Sequence, residues 1–205
     1  MARKALIGVV AMLAVLLVTS QLVLPGLAEN RVEGRLTEGG GSAKVSLSAL
    51  PALRLLFSDG DRLEARGTDL DLELAGDQPD VLGRLDGFSE VDVVLANLRA
   101  GPFAVDSFEL LRDGSEPYSV RSQTTTSAAA LAEYGADRLG LSGGPLLRFF
   151  VGQAPQGDRP VPISLDLELE SDDGRIRVTE GGGTVAGYPT GPLAELLTAA
   201  IAIRL

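Results

Sequence analysis

The sequence predicts an exported α+β domain whose body is an antiparallel β-sheet. Three observations predict it. In two separate stretches, 63–74 and 160–170, leucines alternate with acidic residues, the period-two pattern of strands with one dry and one wet face. Asp173-Gly174 is a turn signal that folds the second stretch back onto 175–179 as a hairpin. The chain also opens with two basic residues and an apolar run.

Arg3 and Lys4 precede residues 5–18, fourteen uncharged and apolar positions; Thr19, Ser20 and Gln21 interrupt, and 22–24 resume before Pro25. Fourteen residues suit a signal-peptide core, and the twenty of 5–24 are just enough to span a bilayer. Positive charge ahead of the run keeps the N-terminus inside and delivers everything after it outside. Small residues around 18–20 and 26–28 offer cleavage positions, although neither is a clean Ala-x-Ala. Residues 1–24 therefore read as a signal peptide or an uncleaved membrane anchor. Residues 25–205 read as the domain, at the outer face of the cytoplasmic membrane or in the cell envelope.

Within the domain, Pro25 is expected to open an amphipathic helix with Ala28, Val32 and Leu36 on one face, closed by Gly39-Gly40-Gly41. A strand follows at 45–48, then a short apolar helix at 51–57 stopped by Ser58-Asp59-Gly60. The stretch 63–74 is expected as one strand, with Leu70, Leu72 and Leu74 opposite Asp69, Asp71 and Glu73. A loop at 76–80 leads to strands around 91–93, 103–110 and 118–126, with Gly101-Pro102 as a turn. Ser127 can N-cap a helix to Arg138, and a second apolar helix fits 145–151. The strand with Ile163, Leu165, Leu167 and Leu169 inside is followed by its hairpin partner. A last helix from Pro192 places Leu193, Leu196, Leu197, Ala200 and Ile201 on one side. Residues 35–42 echo 177–184, both reading Arg-x-Thr-Glu-Gly-Gly-Gly-Ser/Thr, the mark of a pseudo-repeat or a coincidence.

Composition excludes several classes of function. A net charge of −10 repels nucleic acid, whose binders carry basic patches. It also repels anionic membrane surfaces within a Debye length of about 8 Å, so any contact with lipid must be apolar. The chain has no cysteine and no histidine. Disulfides, thiolate nucleophiles and Cys-linked lipid anchors are therefore impossible, and the commonest general base and metal ligand are missing. Gly140-Leu-Ser142-Gly-Gly144 matches a hydrolase nucleophile elbow, but that chemistry needs a strand-to-helix turn and a base to take the proton; a helix-ending loop fits better. The triple glycines lack the Lys-Ser/Thr of a phosphate loop and read as turns. Asp69/Asp71/Glu73 and Asp166/Glu168/Glu170 offer carboxylates for glycoside hydrolysis or calcium, against the simpler reading as solvated sheet faces. No metal or cofactor is expected.

Three apolar elements are more than one sheet face need cover: 51–57, 145–151 and the C-terminal helix. They complete an ordinary core or line a groove whose aliphatic walls accept acyl chains. Leu53, Leu56, Phe57, Phe149 and Phe150 are the candidate lining residues on the first two.

The order of elements resembles one family. An export segment runs into the Leu-Pro helix at 24–33; a Gly-rich break, a strand, the Pro-Ala-Leu-Arg-Leu-Leu-Phe segment at 51–57 and Gly60 follow. Then come the strand pair around Leu98-Arg-Ala-Gly-Pro-Phe103, Thr124-Thr-Thr-Ser127 opening a helix, and a terminal hairpin. Over residues 21–205 this is similar to the LmeA-like phospholipid-binding family of bacterial cell envelopes. The resemblance implies an elongated, curved antiparallel sheet wrapped around amphipathic helices, like tubular lipid-binding domains, and an exported or anchored protein. The stretches that carry over are Leu50-Pro51 to Phe57 and Gly101-Pro102-Phe103. They add Leu50 and Phe103 to the lining positions, with Phe57 and Phe103 at the cavity.

The expected function is non-enzymatic binding of phospholipid or another acyl lipid, held or shuttled in an apolar groove, with lipid and membrane as partners. The alternatives are an anchored structural or protein-interaction module and, third, a carboxylate-based hydrolase. An open apolar cavity favours the first, a solid core the second, and opposed carboxylates in a cleft the third.

Overall fold

The computed structural model of the chain describes residues 20–73, 82–127, 130, 159–172, 175–185 and 188–189. The expectations for 1–19, the loop at 76–80, the helices over 131–138, 145–151 and 192–201, the Gly-x-Ser-x-Gly sequence, Phe149 and Phe150 lie outside these residues.

The body is one large sheet of nine strands: β1 (Ser42–Ser48), β2 (Gly60–Thr68), β3 (Asp71–Leu72), β4 (Phe88–Ala100), β5 (Phe103–Asp113), β6 (Tyr118–Thr126), β7 (Val161–Asp172), β8 (Arg175–Val185) and β9 (Tyr188–Pro189). They lie in the order β1-β2-β4-β5-β6-β7-β8-β9, with β3 beside β4. Helix α1 covers 20–36, a 3₁₀ helix spans Ala52–Phe57, and the single-turn α2 spans Gly83–Asp86. The class is α+β, as expected, and six of the eight strand pairings are antiparallel.

The other two pairings correct the antiparallel expectation: β2 and β3 both run parallel to β4. Parallel neighbours need a crossover of about a dozen residues or more. The connection 73–87, which contains α2, is long enough to carry the chain back to the same end of the sheet.

The stretch 63–74 is also not one strand. Asp69 adopts a left-handed conformation, φ 57°, and separates β2 from β3. Asn97 of β4 does the same at φ 51°, and the β5–β6 register shifts between Val105 and Ser107. These three irregularities lie at one level across neighbouring strands. Each sets the dry-face spacing to three residues instead of two. Gly67 leads to the buried Leu70, and the buried pairs Leu95/Leu98 and Val105/Phe108 straddle the other two. Bulges bend and twist a strand, so a row of them curves the sheet while its leucines stay inside.

Glycine is required opposite the break. A Cβ on Gly41, φ 83°, would lie 2.3 Å from the carbonyl oxygen of Asp69, and one on Gly39 would lie 2.0 Å from that of Asp71. The echo of this run at 177–184 is continuous strand within β8. The same eight-residue pattern thus forms a helix end with its turn in one place and a strand in the other.

Helix α1 runs through Pro25 rather than starting there, because helix-forming residues continue upstream of the proline. Its inner face is the predicted one: Leu36 and Val32 are buried, and Ala28 packs on the core. The helix also closes the sheet edge. Val45 N–H donates to Glu33 Oε1 and Leu47 N–H to Glu29 Oε1, both at 2.8 Å, and Ala52 N–H donates to Gln21 Oε1 at 2.8 Å. Four helical residues rise about 6 Å and two strand residues about 6.8 Å, so carboxylates at i and i+4 match alternate amides of an edge strand. Unpaired edge amides are templates for another strand; here those of Val45 and Leu47 are occupied. Replacing Glu29 and Glu33 together with Ala is expected to cost about 3–6 kcal/mol, the range for two charge-assisted hydrogen bonds. Hydrogen exchange at Val45 and Leu47 should accelerate most, and unchanged exchange at these two amides would rule the capping out.

Candidate functional site

Two places on the described surface could carry a function. The first is an apolar tip where α1 and the 3₁₀ helix meet. Ala52 is buried and anchors the 3₁₀ helix, whereas Leu50, Leu53, Leu56 and Phe57 are exposed, Phe57 by 82%. Leu22, Val23 and Leu27 on α1 are exposed as well. The Gln21–Ala52 hydrogen bond holds the two groups side by side.

Polar contacts fix the tip from behind. Asp61, on β2, accepts from Leu50 N–H at 2.8 Å and from Arg54 Nη1 at 2.7 Å. Asp59 accepts from Arg54 Nε at 3.0 Å and Nη2 at 2.8 Å. The loop ends on Ser58, φ 53°, whose N–H bonds the Leu55 carbonyl. The Arg54 hydrogen bond holds the Asp59 carboxyl below its ordinary value, and Asp59 and Asp61 raise that of Arg54. A carboxylate depressed in this way contributes its part of the loop's order above the ordinary carboxylate range. That part is lost as the pH falls through its lowered value.

The second place is a polar cleft of about 490 Å³ bordered by Arg112, Glu116, Tyr118 and Glu170. At its base Arg112 is nine-tenths buried and is held through both of its terminal nitrogens. Its Nη1 donates to Asp86 Oδ1 at 3.3 Å and to the Tyr118 hydroxyl at 2.6 Å. Its Nη2 donates to the carbonyls of Leu85 and Asp86 at 3.2 Å and to that of Phe88. The Tyr118 hydroxyl donates to Asp86 Oδ1 at 3.0 Å, Ser171 donates to Oδ2, and the Arg112 guanidinium lies 4.6 Å from the Tyr118 ring centre.

Burial, more than any neighbour, pushes the Tyr118 hydroxyl well above its ordinary value, so it is a donor and not a base. Arg112 thereby caps the carbonyls that end α2 and ties β4, β5, β6 and β7 together. With both terminal nitrogens engaged and carboxylates around it, this group is a structural staple rather than an anion site, although the buried Nε has no hydrogen-bond partner among the described residues. The sequence reading missed it. A buried Arg-x₅-Tyr pair across the β5–β6 turn has no sequence signature.

The structure divides the predicted lining residues. Leu50, Leu53, Leu56 and Phe57 come together, on the outside. Phe103 is fully buried in the core and belongs to another part of the sheet. The acidic residues Asp69, Asp71 and Glu73, and Asp166, Glu168 and Glu170, are exposed side chains, and no group of three metal-ligating residues occurs among the described residues. The inner face of β6 carries a hydroxyl stripe that the sequence reading did not single out. Ser122 and Thr124 are 2.9 Å apart, and Thr126 donates to the Pro102 carbonyl. No helix among the described residues is long and apolar enough to cross a membrane; they begin at 20, within the apolar stretch 5–24.

No known protein family, curated protein or solved structure matches this chain.

Proposed function

We propose that this chain is a non-enzymatic phospholipid- or acyl-lipid-binding protein of the cell envelope, tethered or secreted at the outer face of the cytoplasmic membrane. The observation that carries this reading is the concentration of exposed leucines and Phe57 on a braced loop. That loop stands beside the end of an apolar N-terminal run that no charge interrupts from residue 5 to 28. Large exposed apolar groups in one place mark interaction surfaces. With a net charge of −10 the surface is suited to acyl chains rather than to anionic head groups. The lack of histidine and cysteine supports the absence of catalysis.

In this reading the curved sheet wraps around α1 and the amphipathic segments at 127–138, 145–151 and 192–201, in the manner of tubular lipid-binding domains and of the family the sequence resembles. Burying acyl methylenes among aliphatic side chains contributes about 0.8 kcal/mol each. Native mass spectrometry of the full chain purified from membranes tests the reading, with one acyl lipid per chain as the expected adduct. A chain that carries no lipid excludes it.

One observation favours the second reading, an anchored structural or interaction module. The described inner face of β4, β5 and β7 is filled by side chains with almost no exposure, which is how a solid core looks.

A further inference from the structure

We infer that the tip is a bilayer-docking surface: the 50–57 loop and the first described turns of α1 sit in the interfacial layer of the membrane that receives residues 5–24. This rests on the reading above that the N-terminal run reaches a membrane, and it adds where the domain touches that membrane and by what force.

Helix α1 itself records a boundary. Its exposed positions are Leu22, Val23 and Leu27 in the first two turns, and Asn30, Arg31, Gly34 and Arg35 thereafter. The outward face thus changes from apolar to polar between 27 and 30, as a helix leaving lipid for water does. Gln21 lies on the apolar side of that change, and its bond to Ala52 N–H sets the 3₁₀ helix at the same level. Leu50, Leu53, Leu56 and Phe57 are therefore exposed at the level where α1 is still apolar.

The chemistry selects one occupant. A partner protein or a second copy would have to sit against a surface whose upstream continuation is the apolar run itself, with only the three polar residues Thr19, Ser20 and Gln21 in between and no charged or extended spacer to lift the domain clear. An anionic head-group site is ruled out by Arg54, whose guanidinium is engaged by Asp59 and Asp61. What remains is insertion of apolar side chains below the head groups, as interfacial segments insert. The braced loop already holds its bound shape, so docking orders little additional chain.

The test uses the full chain, which has no native cysteine. Leu56→Cys is labelled with an environment-sensitive fluorophore and reconstituted in phosphatidylcholine vesicles, with Glu168→Cys on the wet face of β7 as reference. The Leu56 label should emit to the blue and be quenched several-fold more strongly than the reference by lipids bearing an acyl-chain nitroxide. Mixing in phosphatidylglycerol should leave this unchanged, and Phe57→Asp in the same chain should bring quenching down to the reference. A label as wet as the reference overturns the inference. So does a blue-shifted label that lipid nitroxide does not quench, because protein then covers the tip. Lipid carriage is read separately by native mass spectrometry of the same preparation. Docking without a bound lipid sinks the lipid-holding reading alone, and a bound lipid without docking sinks this one alone.

Discussion

Arg112→Ala is expected to destabilise the protein by about 3–5 kcal/mol, the range for breaking one partner out of a buried ion pair. The guanidinium is nine-tenths buried, and it alone bridges the Asp86 carboxylate, the Tyr118 hydroxyl and three carbonyls between Leu85 and Phe88. Removing it strands those acceptors at the end of α2 and leaves Asp86 with only Tyr118 and Ser171 as donors. Arg112→Lys should recover little, because one ammonium cannot reproduce a planar fork that serves five acceptors. Tyr118→Phe should cost about 1–2 kcal/mol, since it removes a single hydroxyl from the network. Urea unfolding of the full chain followed by circular dichroism gives the order directly. If the tyrosine variant proved as damaging as the arginine variant, the arginine would not be the centre of the staple.

Phe103→Ala is the second large effect, about 3–5 kcal/mol for emptying a fully buried ring site. Phe103 opens β5 after the Gly101-Pro102 turn, opposite Ala100, and it has no exposed surface. Phe57→Ala should change stability by no more than about 0.5 kcal/mol, because the ring is already in contact with solvent. The resemblance placed these two phenylalanines together at a cavity. The structure separates them into a core residue and a surface residue. A double replacement by Asp would therefore unfold the domain before it reported on lipid, so Leu56 and Phe57 are the pair to vary. Equal destabilisation by the two alanine variants in thermal melts would contradict this placement.

The same pair shows where sequence reading works. A phenylalanine beside a turn signal can be assigned to a strand from its neighbours, but its burial is set by what the fold lays over it. Strand alternation is local, because successive side chains point to opposite faces whatever the partner strand. Hence β6 at 118–126 and the inward leucines of β7 were legible, and so was the Ala28–Val32–Leu36 stripe of α1. The bulges were legible in principle. Leu95/Leu98 and Val105/Phe108 break the alternation by one residue, at Asn97 and Asp106, where residue types that tolerate unusual backbone angles stand.

The sequence by itself determined the α+β class, most strand positions, the apolar N-terminal run and the lack of histidine and cysteine side chains. Only the tertiary structure decided the parallel placement of β2 and β3 beside β4, since a strand carries no local mark of its partner's direction. It alone set Glu29 and Glu33 against the amides of β1, 18 and 12 residues away respectively. It also assembled the Arg112 staple and turned the apolar face of 50–57 outward. Burial and long-range pairing are properties of the whole packed chain, and local periodicity does not contain them.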